Sequence, residues 1–114
     1  MSVVIYHNPR CSKSRETLAL LEDKNIAPEI VKYLDTPPSV EQLKTLYAQL
    51  GLTNVRDMMR TKEAEYKELA LADANDEQLF AAMASHPKLI ERPIVVKDGK
   101  AKLGRPPEQV LEIL

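Results

Sequence analysis

The only cysteine of this chain lies where a short apolar run gives way to a helical pattern. The run Val3-Val4-Ile5 predicts a strand, and the apolar residues that follow Cys11 recur at helical spacing. Residues 6–15 therefore predict a tight turn from a strand into the start of a helix. A thiol at the first turn of a helix lies at the positive end of the helix dipole, among N–H groups that have no intrahelical partner. This position favours the thiolate, which is the reactive form of cysteine.

The residues around Cys11 point in the same direction. Arg10, Lys13 and Arg15 lie close to it in sequence and add positive charge. A free cysteine is usually a small buried hydrophobic residue, but a core residue is rarely flanked by so many polar and charged residues. We therefore predict that Cys11 is presented to an anion, and that its pKa lies below the value of about 8.5 for a free thiol.

Length and charge limit the class of protein. The chain has 114 residues, which is enough for one domain with a modest core. Its net charge of −1 offers no basic field for nonspecific nucleic-acid binding, and no apolar run approaches the ~20 residues that span a bilayer. The N-terminus lacks the pattern of a signal peptide, and a single cysteine cannot form an internal disulfide. We expect a cytoplasmic protein that binds neither nucleic acid nor membranes.

The two ends of the chain predict a sheet. The first part has the order β-α-β, which should be parallel and right-handed. The last part has two short runs around Asp98-Gly99, a dipeptide that suits a type I′ hairpin, and then Pro106-Pro107, which suits the first turn of a final helix. Together these parts predict a thioredoxin-like α/β fold with a four-stranded mixed sheet. The predicted segments are 2–6, about 11–24, and 28–33 at the start, then 94–97 and 100–103 before the last helix.

The middle of the chain predicts helices. Ser39 with Gln42 three residues later matches a capping box, and Gly51 suits the end of that helix. Residues 61–75 are polar and alanine-rich, which predicts short helices and turns, and a further helix opens at Asp76. We assign one domain, residues 1–114, with a helical insertion at about 39–86.

Ser14 forms a Cys-x-x-Ser pair with Cys11. Its hydroxyl lies on the same helical turn as the sulfur and could donate a hydrogen bond to the thiolate, although the pair alone suits a helix-start serine equally well. Ser14 cannot resolve a mixed disulfide. Redox chemistry at Cys11 would therefore need an external thiol, such as glutathione, with a glutaredoxin to recycle the enzyme.

Three arginines form a second candidate group. Arg60 ends a short helix, whereas Arg92 and Arg105 each directly precede a proline. Arginine suits planar, multidentate recognition of oxyanions. Each one alone is most often a partner in a surface ion pair, but two that are held by a following proline are less usual.

The histidines suggest no metal site. His7 could orient the loop or assist a proton transfer, and a loop histidine bonded to the backbone suits the position at least as well. His86 precedes a proline and is interpreted as structural. Two distant histidines and one cysteine do not have metal-ligand spacing. The segment after Cys11 also lacks the Cys-x5-Arg loop of tyrosine-phosphatase-like enzymes.

The loop sequence resembles the signature of the glutaredoxin-dependent arsenate reductases of the thioredoxin-like superfamily. The resemblance covers nearly the whole chain and is more specific than any single motif. One departure is Arg10, which stands where well-known members carry a small residue. The matching segments are Ile5-Tyr6-His7-Asn8-Pro9-x-Cys11-x-x-Ser14-Arg15, Tyr33-Leu34, Pro37-Pro38-Ser39, the segment ending in Arg60, His86-Pro87, Arg92-Pro93-Ile94-Val95-Val96 and Arg105-Pro106.

The resemblance implies an arsenate reductase without a bound cofactor. Arsenate would dock against Arg60, Arg92 and Arg105, and the Cys11 thiolate would attack arsenic to form a thiol-arsenate adduct. Glutathione and glutaredoxin would then supply the reducing thiols. Proline at the start of the third strand tends to be cis in this superfamily and to face the cysteine, which would bring Arg92 close to Cys11. The resemblance also implies supporting roles for five residues: His7, Asn8, Ser14, Arg15 and Pro93.

Other functions stay open at this point. A monothiol glutaredoxin-like carrier would reduce small mixed disulfides without needing the arginines. A related branch of the superfamily comprises redox-responsive regulators that bind RNA polymerase, but their switch usually needs Cys-x-x-Cys, which Ser14 breaks. The substrate could also be another oxyanion or a protein thiol.

Overall fold

The computed structural model describes residues 3–114. These residues form two compact units: residues 3–36 with 92–114, and residues 37–91. The first unit contains the sheet and the second contains most of the helices. None of the helices in residues 3–114 is long and apolar enough to cross a membrane.

The first unit is built on a four-stranded mixed sheet, as predicted. Strand β1 (Val3–Tyr6) runs parallel to β2 (Glu29–Val31) and antiparallel to β3 (Ile94–Lys97), which pairs antiparallel with β4 (Lys100–Leu103). The order across the sheet is β2-β1-β3-β4. Strand β2 is shorter than the predicted 28–33, because the chain turns at its end: the carbonyl oxygen of Lys32 accepts from the amides of Asp35 and Thr36.

The register of β1 and β3 determines where the cysteine loop lies. Tyr6, the last residue of β1, is opposite Ile94, the first residue of β3. The loop that leaves β1 and the segment that enters β3 therefore meet at the same end of the sheet. This pairing brings residues 7–11 and Arg92-Pro93 together although they are far apart in sequence.

The β3–β4 connection is the predicted type I′ turn. Asp98 and Gly99 have φ angles of 51° and 79°, which are the left-handed values that both central residues of this turn require. The short connection sets the register, so that Ile94 lies opposite Leu103.

Helix α1 (Ser12–Asp23) begins directly after Cys11 and buries Ser14, Thr17 and Leu21. The last helical segment is also present, but Pro107–Ile113 is a 3₁₀-helix. One apolar cluster joins the sheet and both helices, and burial of each such side chain contributes about 1.5–3 kcal/mol. Its buried members are Val3, Ile5, Leu21, Val95 and Val110.

The second unit contains helices α2 (Val40–Leu50), α3 (Ala64–Glu68) and α4 (Asp76–Ser85). The predicted capping box of Ser39 and Gln42 is formed, and Gly51 ends α2 in the left-handed conformation. A second capping box, Asn75 with Gln78, starts α4 and was not predicted. The other helical segments of this unit among the described residues are short 3₁₀-helices at Val55–Met58, Leu71–Asp73 and Pro87–Leu89. The first of them ends at Met58, and the prediction that Arg60 ends this helix is therefore wrong.

Helix packing and the hydrogen bonds of one arginine connect the segments of this unit. Helices α2 and α4 pack against each other, with the rings of Tyr47 and Phe80 edge to face at 5.8 Å between centroids. Arg56 connects the 3₁₀-helix Val55–Met58 to the segments that follow it. Its Nε donates to the Tyr66 hydroxyl at 2.9 Å, and its Nη2 donates to three backbone carbonyls. The carbonyl acceptors are those of Leu71 at 2.8 Å, Ala72 at 3.2 Å and Ala74 at 3.0 Å.

Candidate active site

Cys11 is the N-cap residue of α1 and is a partly buried free thiol. The loop before it is folded by Asn8, whose side-chain oxygen accepts from the amide of Arg10 at 3.0 Å and whose carbonyl accepts from the amide of Cys11 at 3.0 Å. The side chain of Arg15 reaches back and donates to the carbonyl of Pro9 at 2.9 Å. Asn8 and Arg15 therefore hold the loop that carries the sulfur.

The pKa of Cys11 lies below its ordinary value, which is the direction predicted from the sequence. Partial burial is the largest single influence and opposes ionisation of the thiol. It is outweighed by the backbone N–H of Ser14, the positive charge of Arg92, the backbone N–H of Lys13 and a side-chain hydrogen bond from Arg92. The start of the helix and one arginine from the far end of the chain thus stabilise the thiolate together.

Arg92 lies next to the sulfur and keeps donor capacity for a ligand. Its peptide bond to Pro93 is cis, as the family resemblance implied. Its Nε and Nη1 atoms are buried and have no hydrogen-bond partner among the described residues. Buried donors of a charged group are rarely left unsatisfied. A guanidinium with unsatisfied donors beside a thiolate is suited to bind an oxyanion.

Arg105 follows β4 and lies beside Arg92, at the same end of the sheet as Cys11. We call this end of the first unit, with Cys11, Arg92 and Arg105, the corner. Its Nη1 atom donates to the carbonyl oxygen of Arg92 at 3.2 Å, and its peptide bond to Pro106 is also cis. Two of the three predicted arginines are therefore brought together by the sheet, one of them directly at Cys11.

Gly104 was not singled out from the sequence, yet this corner depends on it. Its amide donates to the carbonyl of Pro93 at 2.9 Å. A β-carbon at this position would lie 2.5 Å from Thr17 Oγ1 and 2.7 Å from Pro93 Cγ. Only glycine therefore lets the segment before Arg105 approach both α1 and Pro93. The single sequence signal was a glycine directly before Arg105-Pro106, which does not by itself indicate a close approach.

His7 and Ser14 form a buried pair beneath the loop. The Nδ1 atom of His7 lies 2.6 Å from Ser14 Oγ, and the amide of Asn8 donates to the same oxygen at 3.0 Å. The Ser14 hydroxyl thus contacts His7 and Asn8, and the hydrogen bond from Ser14 to Cys11 comes from the backbone N–H. Burial, followed by the charges of Lys32 and Arg15, lowers the pKa of His7 and so favours its neutral ring.

Arg60 lies in the second unit. It follows the 3₁₀-helix Val55–Met58, its amide donates to the carbonyl of Leu89 at 2.7 Å, and its side chain forms an ion pair with Glu63. Within residues 3–114 no group of three or more His, Cys, Asp or Glu side chains could hold a metal ion.

The fold and this corner define a class: a thioredoxin-like protein with one cysteine at the start of its first helix and an arginine beside the sulfur. The chain matches the model of the ArsC family over residues 6–113. It belongs to that family.

Known relatives cover the chain from end to end. An arsenate reductase of Haemophilus influenzae is 58% identical and covers 100% of both chains. The Escherichia coli K12 protein YfgD, whose name states no activity, is also 58% identical, over 98% of this chain and 96% of its own. The solved structure of an arsenate reductase from Vibrio cholerae is 72% identical, covers 100% of this chain and 98% of its own, and superposes with a TM-score of 0.99.

Proposed function

We propose that this protein reduces arsenate to arsenite through Cys11, with glutathione and glutaredoxin as reductants. The observation that carries the proposal is the guanidinium of Arg92, which lies beside the thiol and has two buried donors without a partner in the described chain. The relatives from Haemophilus influenzae and Vibrio cholerae bear the name arsenate reductase. Arsenate is a tetrahedral oxyanion, and arginine provides the planar array of donors that such an anion needs.

In this proposal Arg92 and Arg105 bind the oxygen atoms of arsenate. The same charges that hold the anion also stabilise the Cys11 thiolate, so the nucleophile and its substrate use one electrostatic site. The role of Arg60 as a third ligand stays a prediction from the family resemblance. His7, Asn8, Ser14, Arg15 and Pro93 support the loop and the strand entry and do not react.

The first step is a substitution at arsenic. The thiolate sulfur of Cys11 forms a bond to arsenic(V), and one arsenate oxygen takes up a proton and leaves as water or hydroxide. The oxidation state of arsenic does not change. The arginines neutralise the negative charge that would otherwise repel the thiolate from the anion.

Reduction then needs two thiols, because arsenic(V) takes up two electrons when it becomes arsenic(III). The glutathione sulfur bonds to arsenic, and its proton leaves with a second arsenate oxygen as water. Both sulfur–arsenic bonds then break as the two sulfur atoms join in a disulfide between Cys11 and glutathione, and the two electrons stay on arsenic. Arsenite leaves. A glutaredoxin thiolate then attacks the glutathione sulfur of this mixed disulfide and frees the Cys11 thiolate. The chain has one cysteine, so an external thiol has to complete the cycle.

We further propose that the protein works in the cytoplasm. Its chemistry needs a reduced Cys11 and a supply of glutathione, and both are found in a reducing compartment.

The test is a coupled assay with arsenate, glutathione, glutaredoxin and glutathione reductase, in which NADPH consumption is followed. We expect arsenate-dependent turnover in the wild-type protein, none in Cys11→Ser, and a loss of at least about tenfold in kcat/KM for arsenate in Arg92→Ala, which corresponds to about 1.4 kcal/mol. Arg92→Lys keeps the charge but loses the planar array of donors, and we expect an intermediate value.

Two parallel assays separate the alternatives. One replaces arsenate with a small mixed disulfide, and the other replaces glutathione, glutaredoxin and glutathione reductase with thioredoxin and thioredoxin reductase. If Arg92→Ala keeps full activity toward small mixed disulfides and the wild type shows no arsenate-dependent turnover, the protein is a glutaredoxin-like carrier and the proposal is wrong. If thioredoxin replaces glutathione and glutaredoxin without loss of rate, arsenate reduction stands and the proposed reductants are wrong.

A further inference from the structure

A cavity of about 300 Å³ adjoins the loop that carries Cys11. Its volume is at the lower end of the range for small-molecule sites. Arg10, the residue before the cysteine, lines it, and so do Lys32 and Asp35 from the turn after β2. Neither Cys11 nor Arg92 lines the cavity. The cavity is therefore distinct from the anion site described above.

The lining combines charges of both signs. Arg10 and Lys32 each contribute a positive charge, Asp35 contributes one negative charge, and Leu34 contributes an apolar side chain that is 36% exposed. None of the four ion pairs found among the described residues involves these three charged side chains. A zwitterionic ligand with more negative than positive charge would suit them.

Backbone contacts hold the two walls of the cavity. On one wall the Asn8 side chain accepts from the amide of Arg10 at 3.0 Å. On the other, the amide of Asp35 donates to the carbonyl of Lys32 at 3.0 Å. The amide of His7 donates to the carbonyl of Val31 at 2.8 Å and joins the two walls directly before the loop and the turn diverge.

We infer that this cavity binds the glutathione whose sulfur reacts at Cys11, with Arg10 and Lys32 on its two carboxylates and Asp35 on its ammonium group. The inference rests on the proposed use of glutathione and names its binding site. The tripeptide carries two carboxylates and one ammonium, so its charges are the complement of the three charged side chains. A chain of three residues spans about 10 Å when extended, and the thiol of glutathione is on its central residue, so each carboxylate lies roughly half that length from the sulfur. Arg10 directly precedes Cys11 in the chain.

The cations of the cavity are separate from Arg92, so one small protein can bind two different anions at two places. Arsenate is compact and binds beside the sulfur at Arg92, whereas the carboxylates of the thiol lie several ångströms from its sulfur and need cations that are displaced from the nucleophile. Arg10 supplies such a cation. The residue that departs from the family pattern thus becomes a determinant of thiol recognition.

The decisive experiment measures mixed-disulfide formation at Cys11 without arsenate. The thiolate attacks one sulfur of oxidised glutathione, a Cys11–glutathione disulfide forms, and one glutathione thiolate leaves, so no further oxidant is needed. The rate is followed by the mass of the intact protein and divided by the rate with bis(2-hydroxyethyl) disulfide, which carries no charge. The ratio removes any change in the amount or reactivity of the thiolate.

For the double variant Arg10→Ser, Lys32→Gln we expect this ratio to fall about fivefold to tenfold, in line with the loss of two exposed or half-exposed ion pairs. For Asp35→Asn we expect about a twofold to fivefold fall. The matched control is Lys24→Gln, which removes an exposed charge from the end of α1, and its ratio should equal that of the wild type.

Three outcomes would overturn the inference: an unchanged ratio in the double variant, an equal fall in Lys24→Gln, or a wild-type protein that does not prefer oxidised glutathione. Failure of the proposed function is separate, because this readout contains no arsenate. A wild type without arsenate turnover but with a ratio that depends on Arg10 and Lys32 would keep the glutathione site. In arsenate turnover, the same double variant should raise the KM for glutathione and leave the KM for arsenate unchanged.

Discussion

His7 Nδ1 and Ser14 Oγ lie 2.6 Å apart beneath the loop that carries Cys11, and the amide of Asn8 donates to the same hydroxyl oxygen at 3.0 Å. Both side chains are buried, with exposed fractions of 5% for His7 and 0% for Ser14. The serine of the Cys-x-x-Ser pair therefore joins the strand end to the first helical turn. Its influence on the sulfur passes through its backbone N–H.

Replacement of Ser14 by alanine should lower the stability of the fold and leave the reactivity of the Cys11 thiol nearly unchanged. Ser14→Ala leaves the Asn8 amide and the His7 ring without their partner, and we expect a loss of about 1–3 kcal/mol in the free energy of unfolding in urea. The pKa of Cys11 should change little, because the backbone N–H remains. Ser12→Ala, at the exposed start of the same helix, is the control. A large rise in the pKa of Cys11 in Ser14→Ala would show that the hydroxyl itself donates to the thiolate.

His7 should make the protein less stable in mild acid. Burial lowers its pKa in the folded state, so the unfolded chain binds a proton more readily, and the free energy of unfolding falls as the pH drops from about 6.5 through the lower folded value. His7→Asn keeps an acceptor near the Ser14 hydroxyl, and we expect a flatter dependence of the urea midpoint on pH between 7 and 5. Ser12→Ala retains His7 and removes no titratable group, so it should retain the wild-type slope. Equal slopes in wild type and His7→Asn would contradict the assignment.

Arg92 should lower the pKa of Cys11 through its side chain, whereas Lys13 should act only through its backbone. Arg92→Gln removes a charge and a hydrogen-bond donor from the thiolate, so we expect the midpoint of the alkylation rate against pH to rise. Lys13→Gln keeps its backbone N–H, which is the group that reaches the sulfur, and should leave the midpoint in place. The prediction fails if both variants shift the midpoint equally.

Gly104 should tolerate no β-carbon. In Gly104→Ala the new methyl group would meet Thr17 Oγ1 at 2.5 Å and Pro93 Cγ at 2.7 Å, and relief of such overpacking costs about 1–3 kcal/mol. Adding Thr17→Ala removes the nearer atom and should recover part of the loss, which a double-mutant cycle measures as a coupling energy. Strict additivity of the two changes would show that the methyl group is accommodated elsewhere.

Arg56 should stabilise the second unit without a role at the thiol. Arg56→Gln breaks hydrogen bonds to the Tyr66 hydroxyl and to several carbonyls, and we expect a loss of at least about 2 kcal/mol. Amide hydrogen exchange should rise mainly within residues 37–91. Arg60→Gln removes a partly exposed ion pair with Glu63 and should cost less than about 1 kcal/mol. Comparable losses in the two variants would refute the distinction.

The local elements of the fold could be read from the sequence because their signals are local. Ser39 with Gln42, Gly51, and Asp98-Gly99 each act on a backbone within four residues of themselves, and each has the predicted conformation. Asn75 with Gln78 carried the same capping signal and was overlooked. The 3₁₀ form of the last helix and the early end of β2 had no clear signal in their own segments.

The sequence by itself determined the strand, the loop and the helix start that place Cys11, since these depend on neighbouring residues and on the unpaired N–H groups of a first helical turn. Only the tertiary structure decided which distant groups complete the site. Arg92 meets Cys11 because Tyr6 pairs with Ile94 across the sheet, and the corner closes because Gly104 leaves room for Thr17 and Pro93. Strand register and close packing join residues far apart in the chain, and no local pattern specifies them.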